Sequence, residues 1–266
     1  MREVVENLLK HRILLGQFAY REAFSRYKGS YFGIGWTILQ PLVMLMIYGF
    51  VFSVIFRVKW GGAESVSTLD FAVVTFAGLI IFQIFSESMY RASTLLSANS
   101  NFVKKVVFPL EILPVSVVLG TLITNLFSVM ILVCALIWFD YSIGSYVFLL
   151  PVIMFPLILF TVGASLIVTA LGAFFRDLSH FMGIFMNIVF YLSPVFYPVK
   201  AVPEKFQVYM LMNPFTTFIE SFRAILIYNR PPNWTDLVFV SVISVFLCCI
   251  GMLVFNRSKE IFSDVI

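Results

Sequence analysis

Side chains able to make or break bonds are few in this 266-residue sequence, and they form no recognisable grouping. It has two histidines. His11 lies in a basic N-terminal segment, and His180 follows Arg176-Asp177 at the edge of an apolar run. No nucleophile–His–carboxylate set suggests itself. The three cysteines, Cys134, Cys248 and Cys249, sit inside apolar runs and read as small buried hydrophobes, without metal-ligand spacing or a disulfide framework. No glycine is followed by lysine, which excludes a phosphate-binding loop of the Walker A type. The expectation is a chain with no catalytic residue, no metal and no cofactor of its own. If ATP drives anything here, another chain hydrolyses it.

A proton- or ion-coupled pathway would need titratable groups within the membrane. Only Glu87 approaches that description, and it equally suits a boundary position in water. What remains for a pathway is hydroxyls, amides and aromatic rings, which suit a neutral, hydroxyl-rich cargo because sugars pack their C–H faces on rings. Composition by itself favours ordinary aromatic packing and interfacial belts.

The elements that must position these groups follow from composition. Hydrophobic residues make up 61% of the chain and charged residues 12%, with 31 phenylalanines. A soluble protein could not hide so much apolar surface, whereas a bilayer removes the problem. Stretches free of Asp, Glu, Lys and Arg run over 29–56, 71–86, 112–139, 141–175, 178–199 and 237–256. A span needs about 20 apolar residues. Runs without period-2 alternation choose helices over a barrel. The N-terminus is too polar and basic for a cleaved signal peptide. The net charge of +4 and pI near 9.0 reflect basic residues gathered on the cytoplasmic side, not nucleic-acid binding. With both termini in the cytoplasm, 12 of the 18 Lys and Arg fall on that side.

The fold class expected is therefore an all-α integral membrane protein and a single transmembrane domain over 1–266. It has six transmembrane helices, an N-terminal amphipathic interfacial helix over 1–28, and a short extracytoplasmic re-entrant helical hairpin over 194–234 before the last span. Spans one to five lie in 29–193, span six in 235–256, and 257–266 is a cytoplasmic tail. In the N-terminal segment Ile13, Leu14, Phe18, Ala19, Ala23 and Phe24 recur at helical spacing beside Arg12, Arg21, Arg26 and Lys28. A partner-binding helix would show the same pattern. Two pieces, 204–212 and 214–227, are too short to span and are bracketed by prolines. The segment Asn99 to Pro109 is short, basic, then apolar. It is either a solvated loop or a helix suited to a groove in a soluble partner. The halves show no matching interrupted helices, which weakens a secondary-transporter reading.

Four motifs in register resemble one family. These are Arg26-Tyr27-Lys28-Gly29-Ser30-Tyr31-Phe32-Gly33-Ile34-Gly35-Trp36 with Gln40-Pro41; Lys104-Lys105-Val106-Val107-Phe108-Pro109 with Leu113-Pro114; Phe174-Phe175-Arg176-Asp177-Leu178; and Ser193-Pro194 through Asn213-Pro214. Together they resemble permease subunits of polysaccharide-exporting ABC transporters, which include O-antigen (Wzm-type), capsule and teichoic-acid exporters. The second and third motifs resemble the O-antigen permeases most. The resemblance implies a homodimer in the bacterial inner membrane with two ABC ATPase subunits that bind ATP and Mg. The implied cargo is undecaprenyl-diphosphate-linked polysaccharide. It implies a coupling helix at Asn101, Phe102, Val103, Lys104, Lys105 and Val106, and a lipid-diphosphate site at Arg21, Arg26 and Lys28. The glycan would pass Tyr31, Trp36, Tyr48, Phe190, Tyr191 and Tyr197, while Pro41, Pro109, Arg176, Asp177, Pro194, Asn213 and Pro214 shape the motifs. Competing readings are a permease of the same fold for a drug or lipid, a membrane-embedded enzyme or scaffold, and an ion-coupled transporter.

Overall fold

The computed structural model describes residues 2–27, 29–51, 68–104, 108–175 and 177–262, with the side chains of 2–5, 26 and 68–70 excepted. All regular structure among them is helical. Among the described residues, five segments are long and apolar enough to cross a membrane: Gly33–Val51, Phe71–Ala92, Ile112–Trp138, Ser145–Phe174 and Trp234–Ile261.

The chain opens with α1 (Arg2–Lys10) and α2 (Arg12–Phe24), broken at His11, where one continuous interfacial helix was expected. Helix α2 keeps Ile13 and Tyr20 exposed on one side. Its buried face, Phe18, Ala19 and Ala23, packs on α7 (Ile112–Trp138). The approach is close because Gly120 of α7 has no side chain. A methyl there would lie 2.8 Å from the Glu22 Cβ and 3.0 Å from the Ala19 carbonyl oxygen.

The first apolar run was expected to be helical from residue 29, but the α-helix α3 (Trp36–Tyr48) starts seven residues later. The intervening turn puts Gly29 at φ +85° and Gly33 at φ +50°, conformations that only glycine adopts at little cost. The second helix, α4 (Thr68–Ala92), runs past Glu87 to the end of the segment, because Glu87 pairs with Arg91 one turn on, at 2.9 Å. Its flanks are covered by α3, α7, α8 (Leu150–Phe174) and two later helices, so it is buried nearly all round. Two short helices follow it, α5 (Leu95–Ala98) and α6 (Ser100–Lys104).

Next comes α9 (Leu178–Tyr191), where a run over 178–199 had been expected to form one span. At about 1.5 Å per residue its 14 residues cover only about 21 Å. It stops early because Pro194 and Pro198 cannot continue it, and Ser193 closes a tight turn by accepting Val195 N–H at 2.7 Å. The hairpin helices then form close to the expected bounds as α10 (Glu204–Met212) and α11 (Pro214–Leu226). Asn213 caps α11 by accepting Phe215 N–H at 3.0 Å, with Pro214 in the first position. The same device, Asn233 accepting Thr235 N–H, starts α12 (Trp234–Ser258).

Helices α8 and α12 form the tightest pair. The buried seam of α12 is Leu237, Val240, Ser244, Cys248, Gly251 and Phe255, a strict three-or-four spacing, while Val238, Val242, Val245, Phe246 and Leu253 face outward. Gly163 and Gly251 meet at the crossing, where a methyl on Gly163 would come within 2.6 Å of the Cys248 nitrogen. Small residues let helix backbones touch where lipid supplies no hydrophobic drive for association.

Candidate functional site

Four helices, α3, α4, α7 and α9, line an open-sided cavity of about 290 Å³, in which Gln40, Gln83 and Asn187 are exposed. Each contributes one amide to the wall: Gln40, Gln83, Asn125 and Asn187. Thr37, Ser86, Thr124 and Ser128 add hydroxyls, and Trp36, Tyr48, Tyr90, Phe82 and Phe190 add rings. These groups offer donors, acceptors and π-faces without net charge. Glu87 also lines the cavity, at the end near Tyr27 and Tyr90, where Arg91 holds it. The opposite end is marked by Tyr48, Phe76 and Phe190.

The amides are one signal that reading the sequence missed. Among the first, second, third and fifth apolar runs, each holds a single Asn or Gln, and those are the four residues that meet here. An amide facing lipid without a partner costs several kcal/mol by transfer estimates.

Of the aromatic residues expected along a path, Trp36, Tyr48 and Phe190 line the cavity together with Pro41. Tyr31 is fully exposed beside Phe32, Tyr191 points outward, and Tyr197 donates its hydroxyl to the Tyr191 carbonyl at 2.6 Å. These three lie outside the cavity wall.

The segment Asn101 to Val106 begins in α6. Phe102 turns inward, its ring 5.4 Å from Phe18 and 5.0 Å from Phe108, while Asn101 and Lys104 are exposed. Val103 is half-buried beside the same cluster. Lys105 and Val106 lie outside the described residues. The aromatic trio fixes α6 to α2, and Arg21 adds a second link. Its guanidinium lies 4.2 Å above the Phe18 ring and donates to the Asn99 Oδ1 at 3.3 Å. Lys28 and the Arg26 side chain lie outside the described residues, as does Arg176. Asp177 precedes α9 and accepts from the His180 and Phe181 N–H groups through its carbonyl. The Pro109 carbonyl likewise accepts from Ile112 N–H at 3.0 Å, starting α7.

From α2 the polar contacts continue to the cavity. Arg91 donates to the Glu22 carbonyl oxygen at 2.8 Å, lies 3.4 Å from the Glu22 carboxylate, and holds Glu87. At the same end of the bundle, Glu111 is almost wholly buried. It accepts from Asn7 at 2.7 Å and from Lys259 at 2.9 Å, tying the N-terminal helix and the segment after α12 to the start of α7. Burial pushes its carboxyl up. Hydrogen bonds from Lys259, from the Glu111 backbone and from Asn7, together with the Lys259 charge, outweigh burial and hold it below the ordinary value.

At the far end, Arg223 of α11 is completely buried. Its guanidinium donates to the carbonyls of Val74, Pro194 and Val195 at 2.7–2.9 Å and to Glu220 at 3.0 Å. Neither Glu111 nor Arg223 was singled out from sequence, since each reads as one more charged residue between apolar runs.

The ABC-2 type transporter family model matches residues 14–227. The chain belongs to the ABC-2 type transporter family. The matched region of this ABC-2 permease contains the whole cavity, α6 and the α10–α11 hairpin. It is 30% identical over 244 residues to the O-antigen export system permease protein RfbA of Klebsiella pneumoniae, covering 91% of this chain and 90% of that one. A protein of the same name from Myxococcus xanthus is 27% identical over 99% of both chains. The polysialic acid transport protein KpsM of Escherichia coli is 25% identical over 90% of this chain and 91% of its own.

Proposed function

We propose that this chain is the membrane subunit of an ABC exporter for lipid-linked polysaccharide, with O-antigen as the cargo. The observation that carries it is the cavity. Four amides, several hydroxyls and a set of aromatic rings suit a neutral, hydroxyl-rich polymer. Weak, repeated contacts let such a polymer slide where a tight hydrogen-bonded site would stop it. Nearly full-length similarity to export permeases supports the same reading, and identity is higher to the O-antigen proteins than to the polysialic acid one.

In this proposal the protein sits in the inner membrane with six crossings. Helix α9 and its turn make the fifth. In support, the turn at Pro194–Val195 returns to Val74, near the start of α4, through Arg223. An even number of crossings puts both termini on one side, the cytoplasm by the distribution of basic residues. Two copies face each other, each bound to an ATPase subunit that holds ATP and Mg. The exposed Asn101 and Lys104, with Lys105, meet the ATPase groove. Closure of the ATPases moves α6. Phe102 and Arg21 pass the movement to α2, and the Glu22–Arg91–Glu87 contacts pass it to the cavity wall. ATP thereby biases a two-state element. Arg26 and Lys28, with Arg21, receive the anionic diphosphate of the lipid carrier at the cytoplasmic surface.

The test is deletion of the gene, with surface polysaccharide measured by gel and antibody, followed by complementation. Wild type should restore the polymer. A chain carrying Gln40→Leu, Gln83→Leu and Asn187→Leu should reach the membrane but export little. Export unchanged by the triple variant refutes the cavity as the path. Polysaccharide unchanged by deletion refutes the cargo. Arg26→Ala with Lys28→Ala should reduce export and its stimulation of ATPase activity, and no change in either removes the diphosphate role.

A further inference from the structure

We infer that Phe196, held in place by Arg223, is the gate at the Tyr48 end of the cavity. This rests on the cavity being the export path.

The turn after α9 carries Phe196, whose ring lies 5.8 Å from Tyr48 and 5.2 Å from Phe190, the residues that mark that end of the cavity. Aromatic rings from α3, α9 and the turn therefore cluster at that end, with Phe196 just outside the lining residues. Within the turn, the Val195 N–H bonds the Ser193 carbonyl at 2.7 Å, and the Ser193 hydroxyl bonds back to the Val189 carbonyl at 2.7 Å. The buried carbonyls of Pro194 and Val195 are both taken by one guanidinium, at 2.7 and 2.8 Å. Those two acceptors immediately precede the gating ring.

Arg223 is suited to this work and costly for any other. A charged group buried among the phenylalanines of α11 and α4 is tolerated only where its donors find partners. Here the Nε is spent on the Val74 carbonyl of α4, and Glu220 supplies a carboxylate at the edge. The turn is thereby referred to α4, the most deeply buried helix. The fit is specific to arginine, whose planar fork reaches carbonyls in several directions at once, as a lysine cannot. It is also specific to the residue opposite. Gly78 leaves room for the guanidinium, and a methyl at that position would lie 2.7 Å from Nη2. Arg223 is a positioning residue in this scheme. The group that meets the cargo is Phe196.

The experiment uses the intact transporter, this chain with its ATPase, in cells lacking other routes for a small neutral glycoside. The probe is o-nitrophenyl galactoside, read by cytosolic β-galactosidase after outer-membrane permeabilisation. Phe196→Ala and Tyr48→Ala should each raise resting uptake several-fold, and Phe196→Tyr should leave it at the wild-type level. Arg223→Lys and Gly78→Ala should raise it too, with Phe196 intact. Phe218→Leu, a core change on the same helix away from the clamp, should lower thermal stability without raising uptake. Wild-type uptake in Phe196→Ala, in a complex with normal ATPase activity, overturns the gate. Equal uptake in Phe218→Leu and Arg223→Lys overturns the positioning role. Surface polysaccharide in the deletion strain is read in parallel. Its persistence refutes the export reading whatever the uptake result, so the two failures are told apart.

Discussion

Replacing Glu111 should loosen the end of the bundle where α1, α7 and the segment after α12 meet by a measurable amount. The carboxylate is 1% exposed and makes two charge-assisted hydrogen bonds, to Asn7 at 2.7 Å and to Lys259 at 2.9 Å. Breaking a fully buried pair costs about 3–5 kcal/mol. Lys259 is 34% exposed and Asn7 half-buried, so both partners regain water when the carboxylate is removed. Counting each lost bond at the low end of about 1.5–3 kcal/mol gives a net cost of about 2–3 kcal/mol for Glu111→Ala. For a chain of this size that is about 5–10 °C in Tm. Purified protein in detergent, unfolded by heat and followed by helical circular dichroism, gives the measurement. The pH dependence fixes the cause. A carboxyl held below its ordinary value of 4.5 contributes fully above that value and loses the contribution as pH falls through the folded value. The Tm gap between wild type and Glu111→Gln should therefore stay constant from neutral pH down to about 5, then close on further acidification. A Glu111→Ala variant within about 1 °C of wild type, or a gap that widens in acid, refutes the reasoning.

Gly163→Val should push α8 and α12 apart at their crossing, since its Cβ would lie 2.6 Å from the Cys248 nitrogen. Overpacking of this kind costs about 1–3 kcal/mol and should appear as lower yield and Tm, with an unchanged value counting against the close crossing. Phe102→Ala with Lys104→Glu should leave the permease folded but raise ATPase activity without export, and normal coupling would remove α6 from the docking role. Arg21→Ala should give a weaker form of the same uncoupling, because the Phe18–Phe102 contact remains at 5.4 Å. Loss of export in Arg21→Ala with ATPase stimulation intact would confine Arg21 to diphosphate binding and remove it from the coupling path.

Length and polarity made most of the helices legible. Apolar runs marked the spans, and Asn213-Pro214 marked the start of α11, because caps and prolines act through nearest neighbours. Legibility failed where two distant segments fit each other. Ala19 and Ala23 look like a weak apolar face, and only Gly120, about a hundred residues away, explains why they are small. The end of α9 at Tyr191 was missed although Pro194 was in view, because the surrounding residues stay apolar beyond the helix.

The site residues that reading overlooked share one physical property. Gln40, Gln83, Asn125 and Asn187 are each the single amide of an apolar run, and Arg223 shares its short apolar helix with one acid, Glu220, 3.0 Å away. A polar group set among apolar residues can meet lipid, water in a cleft or a protein partner, and the first is too costly to keep. Four runs each retaining one amide thus converge on one open-sided cavity, where Asn125 is buried and the other three are exposed. The same logic separates Arg223 from the basic residues that follow the positive-inside rule. Those lie in polar segments where water pays their solvation, whereas Arg223 sits between Phe222 and Ala224 and must find carbonyls. The question to put to each polar residue in such a chain is which protein group it must meet, and the answers converge on two places. One is the amide-lined wall, and the other is the clamp that sets the ring at its far end.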